Sequence, residues 1–237
     1  MATSETLPTP DGPMPTYRAE PVGPAKGAIV VIQEAFGLTD HIQSICRRLA
    51  DAGWIAMAPA LYHRDDSPVF SYGDFTPIGP VMGNLGAEGI ASDLDAVVQR
   101  VRADGIGADR TGVVGFCMGG TVALVEGTTD VVGAAVTFYG GGVVQGRFGY
   151  DPLVDVAPRL RAPWLGLFGD LDQGIPPEQV EALRAAAATA GVPTEVVRYA
   201  DAGHGFNCDD RDAYHPASAA DAWSRTLAWF DQHLTGG

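Results

Sequence analysis

The segment around Cys117 has the residue types and spacing of a nucleophile held in a tight turn. It reads Gly-Phe-Cys-Met-Gly from Gly115 to Gly119, between an apolar run at 111–116 and a plausible helix at 121–126. A sharp strand-to-helix turn that presents a nucleophile tolerates only small residues beside it, and the two glycines meet that need. This G-x-C-x-G pattern predicts that Cys117 attacks a carbonyl carbon.

A helix that begins just after Cys117 would assist this reaction. The first amides of a helix have no partner within it, so the N–H of Met118 can stabilise a negatively charged oxygen. The alternative is a glycine-rich turn around a buried, inert thiol, which is the usual state of a free cysteine. The strand, the helix and the two glycines favour the nucleophile, provided that an acid and a base follow in the chain.

Two carboxylates are available for the acid, which sites of this type place after a later strand. The apolar run at 163–169 leads directly into Asp170 and Asp172. We favour Asp172 because it lies beyond the end of the run, where its side chain can turn towards the nucleophile. Asp170 is the alternative, and either residue could instead cap the helix that begins at Pro177.

His204 is the candidate base among the five histidines. It follows a late apolar run at 194–200, and its flanking glycines let the loop reach the nucleophile and the acid. Without those partners, a loop histidine would be interpreted as a surface residue. His41 and His233 lie on helix surfaces by their spacing, and His215 precedes a proline at a helix start. The role of His63 stays open.

The three side chains together predict covalent catalysis. His204 takes or stabilises the thiol proton and later activates water, while Asp172 fixes the imidazole tautomer and supports the imidazolium. Cys117 attacks the carbonyl carbon, a tetrahedral oxyanion forms, a thioester remains, and water releases the acid.

Six apolar runs supply the elements that must position these residues. Their near-continuous hydrophobicity indicates strands covered on both faces, as in a parallel sheet between helices. The runs are 27–34, 54–59, 111–116, 133–139, 163–169 and 194–200. Helical patterns alternate with them, at 42–49, 94–101, 177–190 and 223–234. This order predicts an α/β fold with a doubly wound, mostly parallel sheet and helices on both faces, in a single domain over 1–237.

Two segments break the alternation of strands and helices. Residues 62–85 and 140–160 are rich in glycine and proline. They show neither the apolar run of a strand nor the apolar spacing of a helix. Long loops in a compact domain are usually functional, so we expect these two to wall a pocket.

The composition argues against several other classes of protein. A formal charge of −14 and the lack of a basic run disfavour binding to nucleic acid or to an anionic membrane. Three scattered cysteines suggest neither a disulfide framework nor a metal site. No signal peptide or membrane-spanning run is visible. We expect a monomeric cytoplasmic protein that uses no metal and no cofactor.

The chain resembles the dienelactone hydrolase family of α/β-hydrolases along nearly its whole length. A cysteine in place of the usual serine, together with Gln33 and Glu34 after the first long apolar run, is specific to this family among α/β-hydrolases. Five stretches carry the resemblance: Val31–Leu38, Ala58–Tyr62, Gly115–Gly120, Ala202–Phe206 and, more weakly, Phe138–Gly140. The resemblance implies the α/β-hydrolase fold and a small-molecule substrate that is an ester or a lactone of the dienelactone (carboxymethylenebutenolide) type.

The resemblance also implies roles for residues beside the three catalytic candidates. Glu34 would contact the Cys117 thiol and help to take its proton when substrate binds, and the amides of Ala35 and Met118 would form the oxyanion hole. A carboxylate beside a thiol disfavours the thiolate by charge repulsion, which protects the resting nucleophile. The alternative for Glu34 is an ion pair at a strand end, for instance with Arg64. Aromatic residues of the shared stretches are expected to contact the substrate: Phe36, Tyr62, Tyr139 and Phe206.

The sequence departs from the family where a substrate anion would bind. Founding members of the family hold the substrate carboxylate with arginine, and no arginine occurs at 83–93. Arg64 and Arg147 are the nearest candidates for this contact, and each could instead be a solvated surface charge.

Two other functions stay open. A general carboxylesterase, thioesterase or peptidase would keep the same three residues and differ only in its pocket loops. A non-enzymatic thiol-based sensor would need a reactive Cys117 but not His204.

Overall fold

Eight strands form one sheet in the computed structural model, which describes residues 1–234. The strands are β1 (Ala2–Thr9), β2 (Gly12–Ala19), β3 (Ala28–Ile32), β4 (Ile55–Pro59), β5 (Thr111–Phe116), β6 (Ala134–Phe138), β7 (Trp164–Gly169) and β8 (Thr194–Tyr199). Their order across the sheet is β1-β2-β4-β3-β5-β6-β7-β8. The longer helices alternate with the strands from β3 onward. The helices are α1 (Asp40–Asp51), α2 (Ile78–Gly83), α3 (Ala87–Ala103), α4 (Met118–Glu126), α5 (Leu153–Val156), α6 (Pro177–Ala187) and α7 (Pro216–His233).

The six strands from β3 to β8 pair in parallel, with β8 at the other edge of the sheet. Every residue of β3, β5, β6 and β7 is buried, so side chains of both orientations are covered. The predicted apolar stripe of α1 is also fully buried, at Ile42, Ile45, Cys46 and Leu49. The prediction of a mostly parallel α/β sheet with helices is confirmed.

The two N-terminal strands were not predicted. They form an antiparallel hairpin, in which Pro8 lies opposite Pro13, and β2 continues antiparallel onto β4. Proline lacks the N–H that a sheet ladder needs, so the prolines of this segment argue against strands. The pairing is possible because Pro8 lies on the edge strand β1 and Pro13 precedes the part of β2, Thr16–Ala19, that pairs with β4, so a missing donor costs little at either position.

The carboxyl ends of the parallel strands lie along one edge of the sheet, where ligands of such folds bind. Glu34, Cys117, Asp172 and His204 follow β3, β5, β7 and β8 respectively. The two predicted long loops are partly helical, because they contain α2 and α5. No helix within residues 1–234 combines the length and apolarity needed to cross a membrane.

Candidate active site

Cys117 has the strained backbone of a nucleophile turn. Its φ is 55° and its ψ is −116°, and α4 begins at the next residue. Glycine is required on both sides, because a Cβ on Gly115 would overlap the carbonyl oxygen of Gly119, and one on Gly119 would overlap that of Ile32. The thiol is half-buried, whereas Cys46 and Cys208 are buried. This geometry is the one that the G-x-C-x-G spacing predicted.

His204 and Asp172 lie in hydrogen-bond contact, with 2.6 Å between the imidazole Nδ1 and the carboxylate Oδ2. Asp172 is 4% exposed. The other candidate, Asp170, forms a bidentate ion pair with Arg198 at 2.7 and 2.9 Å and does not contact His204. The structure therefore brings Asp172, and not Asp170, to the imidazole.

The surroundings of His204 stabilise the protonated form of its imidazole. Burial alone would lower the pKa of His204. Interaction with the Asp172 carboxylate and then with Cys117 outweighs burial and raises this pKa to about 10. Asp172 and Cys117 are thus the two side chains that favour an imidazolium at this position.

Glu34 is fully buried beside this group. Its Oε1 lies 3.4 Å from the hydroxyl of Tyr139 and 3.4 Å from the guanidinium of Arg211, while its Oε2 has no partner among the described residues. Burial, and then the charge of Glu34, raise the pKa of Tyr139. The cation that pairs with Glu34 is therefore Arg211 and not Arg64.

The sequence did not predict a role for Arg211. This residue lies in a loop, where no repeating pattern of apolar residues indicates which way a side chain points. It contacts Gly205, next to the candidate base, and its guanidinium covers the ring of Phe36 at 5.4 Å. The only available signal was its nearness in the chain to His204.

The four aromatic residues predicted to contact substrate are packed inside the protein. They are exposed by 1% or less: Phe36, Tyr62, Tyr139 and Phe206. The hydroxyl of Tyr62 donates to the Ala35 carbonyl and that of Tyr139 to Glu34, while Phe206 packs against the Tyr139 ring at 5.4 Å. These side chains pack beneath the site, and the hydroxyls of the two tyrosines have hydrogen-bond partners within the protein.

Arg64 does not take the role that we expected. Its guanidinium makes ion pairs with Asp93 at 2.7 Å and with Asp11 at 2.7 Å. Asp93 also holds His63, at 2.9 Å. Both basic groups therefore serve a structural network, and Arg64 is no longer a candidate for binding a substrate anion.

A cavity of about 410 Å³ opens beside His204. It is lined by the glycine-rich segment 141–147 and by Gly174, Ile175 and Gln179. Arg147 faces this cavity, with its guanidinium 5.1 Å from the ring of Phe148, and within residues 1–234 it has no carboxylate partner. An unpaired cation in an acidic protein makes this cavity suitable for an anionic group.

Comparison with known proteins identifies the family. Residues 14–234 match the family model described as "Dienelactone hydrolase family". The chain belongs to the dienelactone hydrolase family. The predicted resemblance is thereby confirmed, together with the prediction of an enzyme that hydrolyses esters or lactones.

Individual relatives of this dienelactone hydrolase family member are similar over most of their length. Proteins named "Putative carboxymethylenebutenolidase" from Escherichia coli O157:H7 and Salmonella typhimurium are each 40% identical, over 96% of this chain and 86% of theirs. A crystal structure of a "Putative Dienelactone Hydrolase" from Klebsiella pneumoniae is 35% identical, with a TM-score of 0.89. That alignment covers 98% of this chain and 99% of the other.

Proposed function

We propose that the protein hydrolyses a small ester or lactone through a Cys117-His204-Asp172 triad and a thioester intermediate. The observation that carries this proposal is the 2.6 Å hydrogen bond between His204 and the buried Asp172, beside the strained turn that holds Cys117. A base with an orienting acid on one nitrogen and a thiol at the other is the arrangement that activates a nucleophile.

The first half of the reaction is acyl transfer to sulfur. The thiol proton moves to His204, the sulfur attacks the carbonyl carbon, and the amides of Ala35 and Met118 stabilise the resulting oxyanion. The C–O bond to the leaving oxygen then breaks, and that oxygen takes the proton from His204. A thioester on Cys117 remains; with a lactone, the released hydroxyl stays on the acyl group.

The second half of the reaction returns the free enzyme. His204 takes a proton from a water molecule, the hydroxide attacks the thioester carbonyl, and a second oxyanion forms in the same place. The C–S bond breaks, the sulfur leaves and regains its proton from His204, and the carboxylic acid is released. Asp172 holds the imidazole in the tautomer that both steps need.

Glu34 takes part in the first proton transfer in this proposal. Its unpartnered oxygen can accept the thiol proton and pass it on to His204. Arg211 and Tyr139 hold the other oxygen. Movement of Glu34 from these partners to Cys117 would couple thiolate formation to substrate binding.

The substrate of this proposal is a small ester or lactone that carries a carboxylate. Relatives at 40% identity bear the name "Putative carboxymethylenebutenolidase", which supports a lactone. Arg147 supplies a cation for the carboxylate in the cavity beside His204. The three free cysteines fit a reducing compartment, and we propose a cytoplasmic monomer.

Turnover of p-nitrophenyl esters and of a dienelactone by the parent, Cys117→Ala and His204→Ala proteins tests the proposal. We expect both variants to stay folded and to lose turnover, and the parent to form an acyl adduct on Cys117 that is visible by mass spectrometry. Thiol reactivity without turnover in the parent would instead indicate a sensor. Turnover that survives in both variants would refute the triad.

A further inference from the structure

The oxyanion hole depends on the direction of one peptide in an irregular loop. Ala35 lies between the end of β3 and the start of α1, in a turn whose only regular feature is a bridge between Glu34 and Gly37. The Met118 amide, in contrast, is fixed by α4. Within this turn the Gly37 N–H donates to the Glu34 carbonyl at 3.3 Å, and side chains supply further contacts that aim the Ala35 amide.

Gln33 holds the peptide that carries the Ala35 amide. Its Nε2 donates to the Glu34 carbonyl at 3.3 Å, and its Oε1 accepts from the backbone N–H of Leu61 at 3.1 Å. The Glu34 carbonyl and the Ala35 N–H belong to the same planar trans peptide and point in opposite directions. A contact that fixes the carbonyl therefore fixes the N–H as well.

Tyr62 holds the following peptide. Its hydroxyl donates to the Ala35 carbonyl at 3.0 Å, and the same oxygen lies 3.5 Å from the sulfur of Met118. One side chain thus contacts both residues whose amides form the oxyanion hole. Ala35 is held on both sides, by Gln33 through the preceding peptide and by Tyr62 through its own carbonyl.

Neither side chain is available to a substrate. Gln33 is fully buried and Tyr62 is 1% exposed. Burial, and then the neighbouring Cys117, raise the pKa of Tyr62, so the hydroxyl keeps the proton that it donates.

We propose that Tyr62 and Gln33 are positioning residues that aim the Ala35 amide at the oxyanion. This inference rests on the proposed function, because only acyl transfer places an oxyanion there. Removal of one oxyanion donor costs about 10² to 10³ in kcat. An amide that is released from its supports but not deleted should cost less, about 10- to 100-fold.

Tyr62→Phe tests the proposal because it removes one hydroxyl and keeps the ring. We expect kcat for an activated ester to fall by about 10- to 100-fold while KM changes by less than about threefold. The rate at which iodoacetamide alkylates Cys117, followed by mass spectrometry, should stay within about twofold of the parent. Alkylation displaces iodide at a saturated carbon and forms no oxyanion, so it reports on the thiol and its base alone.

Tyr17→Phe is the matched control. It removes from β2 a hydroxyl whose one hydrogen bond within residues 1–234 comes from Arg47 on α1. We expect this control to change neither kcat for the activated ester nor the rate of alkylation of Cys117. Gln33→Met tests the same amide from the preceding peptide and replaces Tyr62→Phe if that variant fails to fold.

Two results would overturn the inference. One is a kcat within about twofold of the parent in Tyr62→Phe, and the other is an equal loss of alkylation and turnover, which would indicate general damage. The Cys117→Ala variant separates this failure from failure of the proposed function. If that variant is inactive while Tyr62→Phe is normal, the triad stands and only the inference fails; a parent that hydrolyses no ester overturns both.

Discussion

The two oxygens of Asp172 have different partners. Oδ2 lies 2.6 Å from Nδ1 of His204, whereas Oδ1 accepts the backbone N–H groups of Gly174 and Ile175 at 2.9 and 3.2 Å. The turn after β7 therefore fixes the carboxylate before it meets the imidazole. A small rotation of this side chain would break several hydrogen bonds at once, which makes Asp172 a rigid support for the base.

Replacement of Asp172 by asparagine should lower kcat by roughly 10³- to 10⁴-fold. The amide nitrogen cannot accept from Nδ1, so the imidazole would adopt the wrong tautomer for taking a proton from Cys117. Steady-state turnover of an activated ester measures the loss. Asp170→Asn is the control, because it breaks only the ion pair with Arg198. Similar losses in both variants would contradict the assignment of the acid.

Arg211→Met should lower the free energy of unfolding by about 3 kcal/mol at pH 7. The substitution leaves the fully buried Glu34 carboxylate without its cation. Urea unfolding provides the measurement. The double variant Glu34→Gln/Arg211→Met should recover most of the lost stability, because no buried charge remains. A double variant as unstable as the single one would mean that Arg211 acts through its packing on Phe36.

Arg147→Ala should raise KM about tenfold for a lactone or ester that carries a carboxylate, the equivalent of about 1.4 kcal/mol of binding. A neutral ester of similar size should be turned over with an unchanged KM, because it makes no ion pair in the cavity beside His204. Comparison of the two substrates in parallel assays checks this. Arg161→Ala removes the same charge from an exposed ion pair with Asp130 and should affect neither substrate. Equal effects of Arg147→Ala on both substrates would rule out an anion contact.

Glu126→Gln should stabilise the protein at pH 8 and not at pH 4. Burial, and then the charge of Asp95, raise the pKa of Glu126 from 4.5 to about 7, so the folded state holds a proton that the unfolded state has lost. Stability therefore falls as the pH rises from about 4.5 to 7, by roughly 3 kcal/mol in total. Denaturant unfolding at several pH values checks this sign. A stabilisation that is equal at pH 4 and pH 8 would contradict it.

The sequence predicts best those elements that a repeating pattern of residues or a close contact between nearby residues determines. The structure contains the three elements of this kind. They are the buried strand Thr111–Phe116, the glycines around Cys117 and the apolar stripe of α1. The N-terminal hairpin escaped prediction because its prolines conflict with strand formation, and only its position at the sheet edge resolves the conflict.

Site residues that act through long-range pairing were not predictable. Arg64 and Arg211 are both loop arginines, and only the folded chain shows that one pairs with Asp93 and the other with Glu34. The aromatic residues Tyr62 and Tyr139 were interpreted as substrate contacts because of the stretches that contain them. Their hydroxyls instead bind the loop that carries Ala35 and the buried carboxylate of Glu34.

The antiparallel hairpin at the N-terminus also affects how copies of this chain meet in concentrated solution. Strand β1 is a free border of the sheet, and such borders tend to recruit a strand from another molecule. Pro8 has no N–H to offer such a strand, while Glu5 on the same strand is paired with Arg100 at 3.3 Å. Pro8 therefore disfavours the pairing of β1 with a strand of another copy at this position.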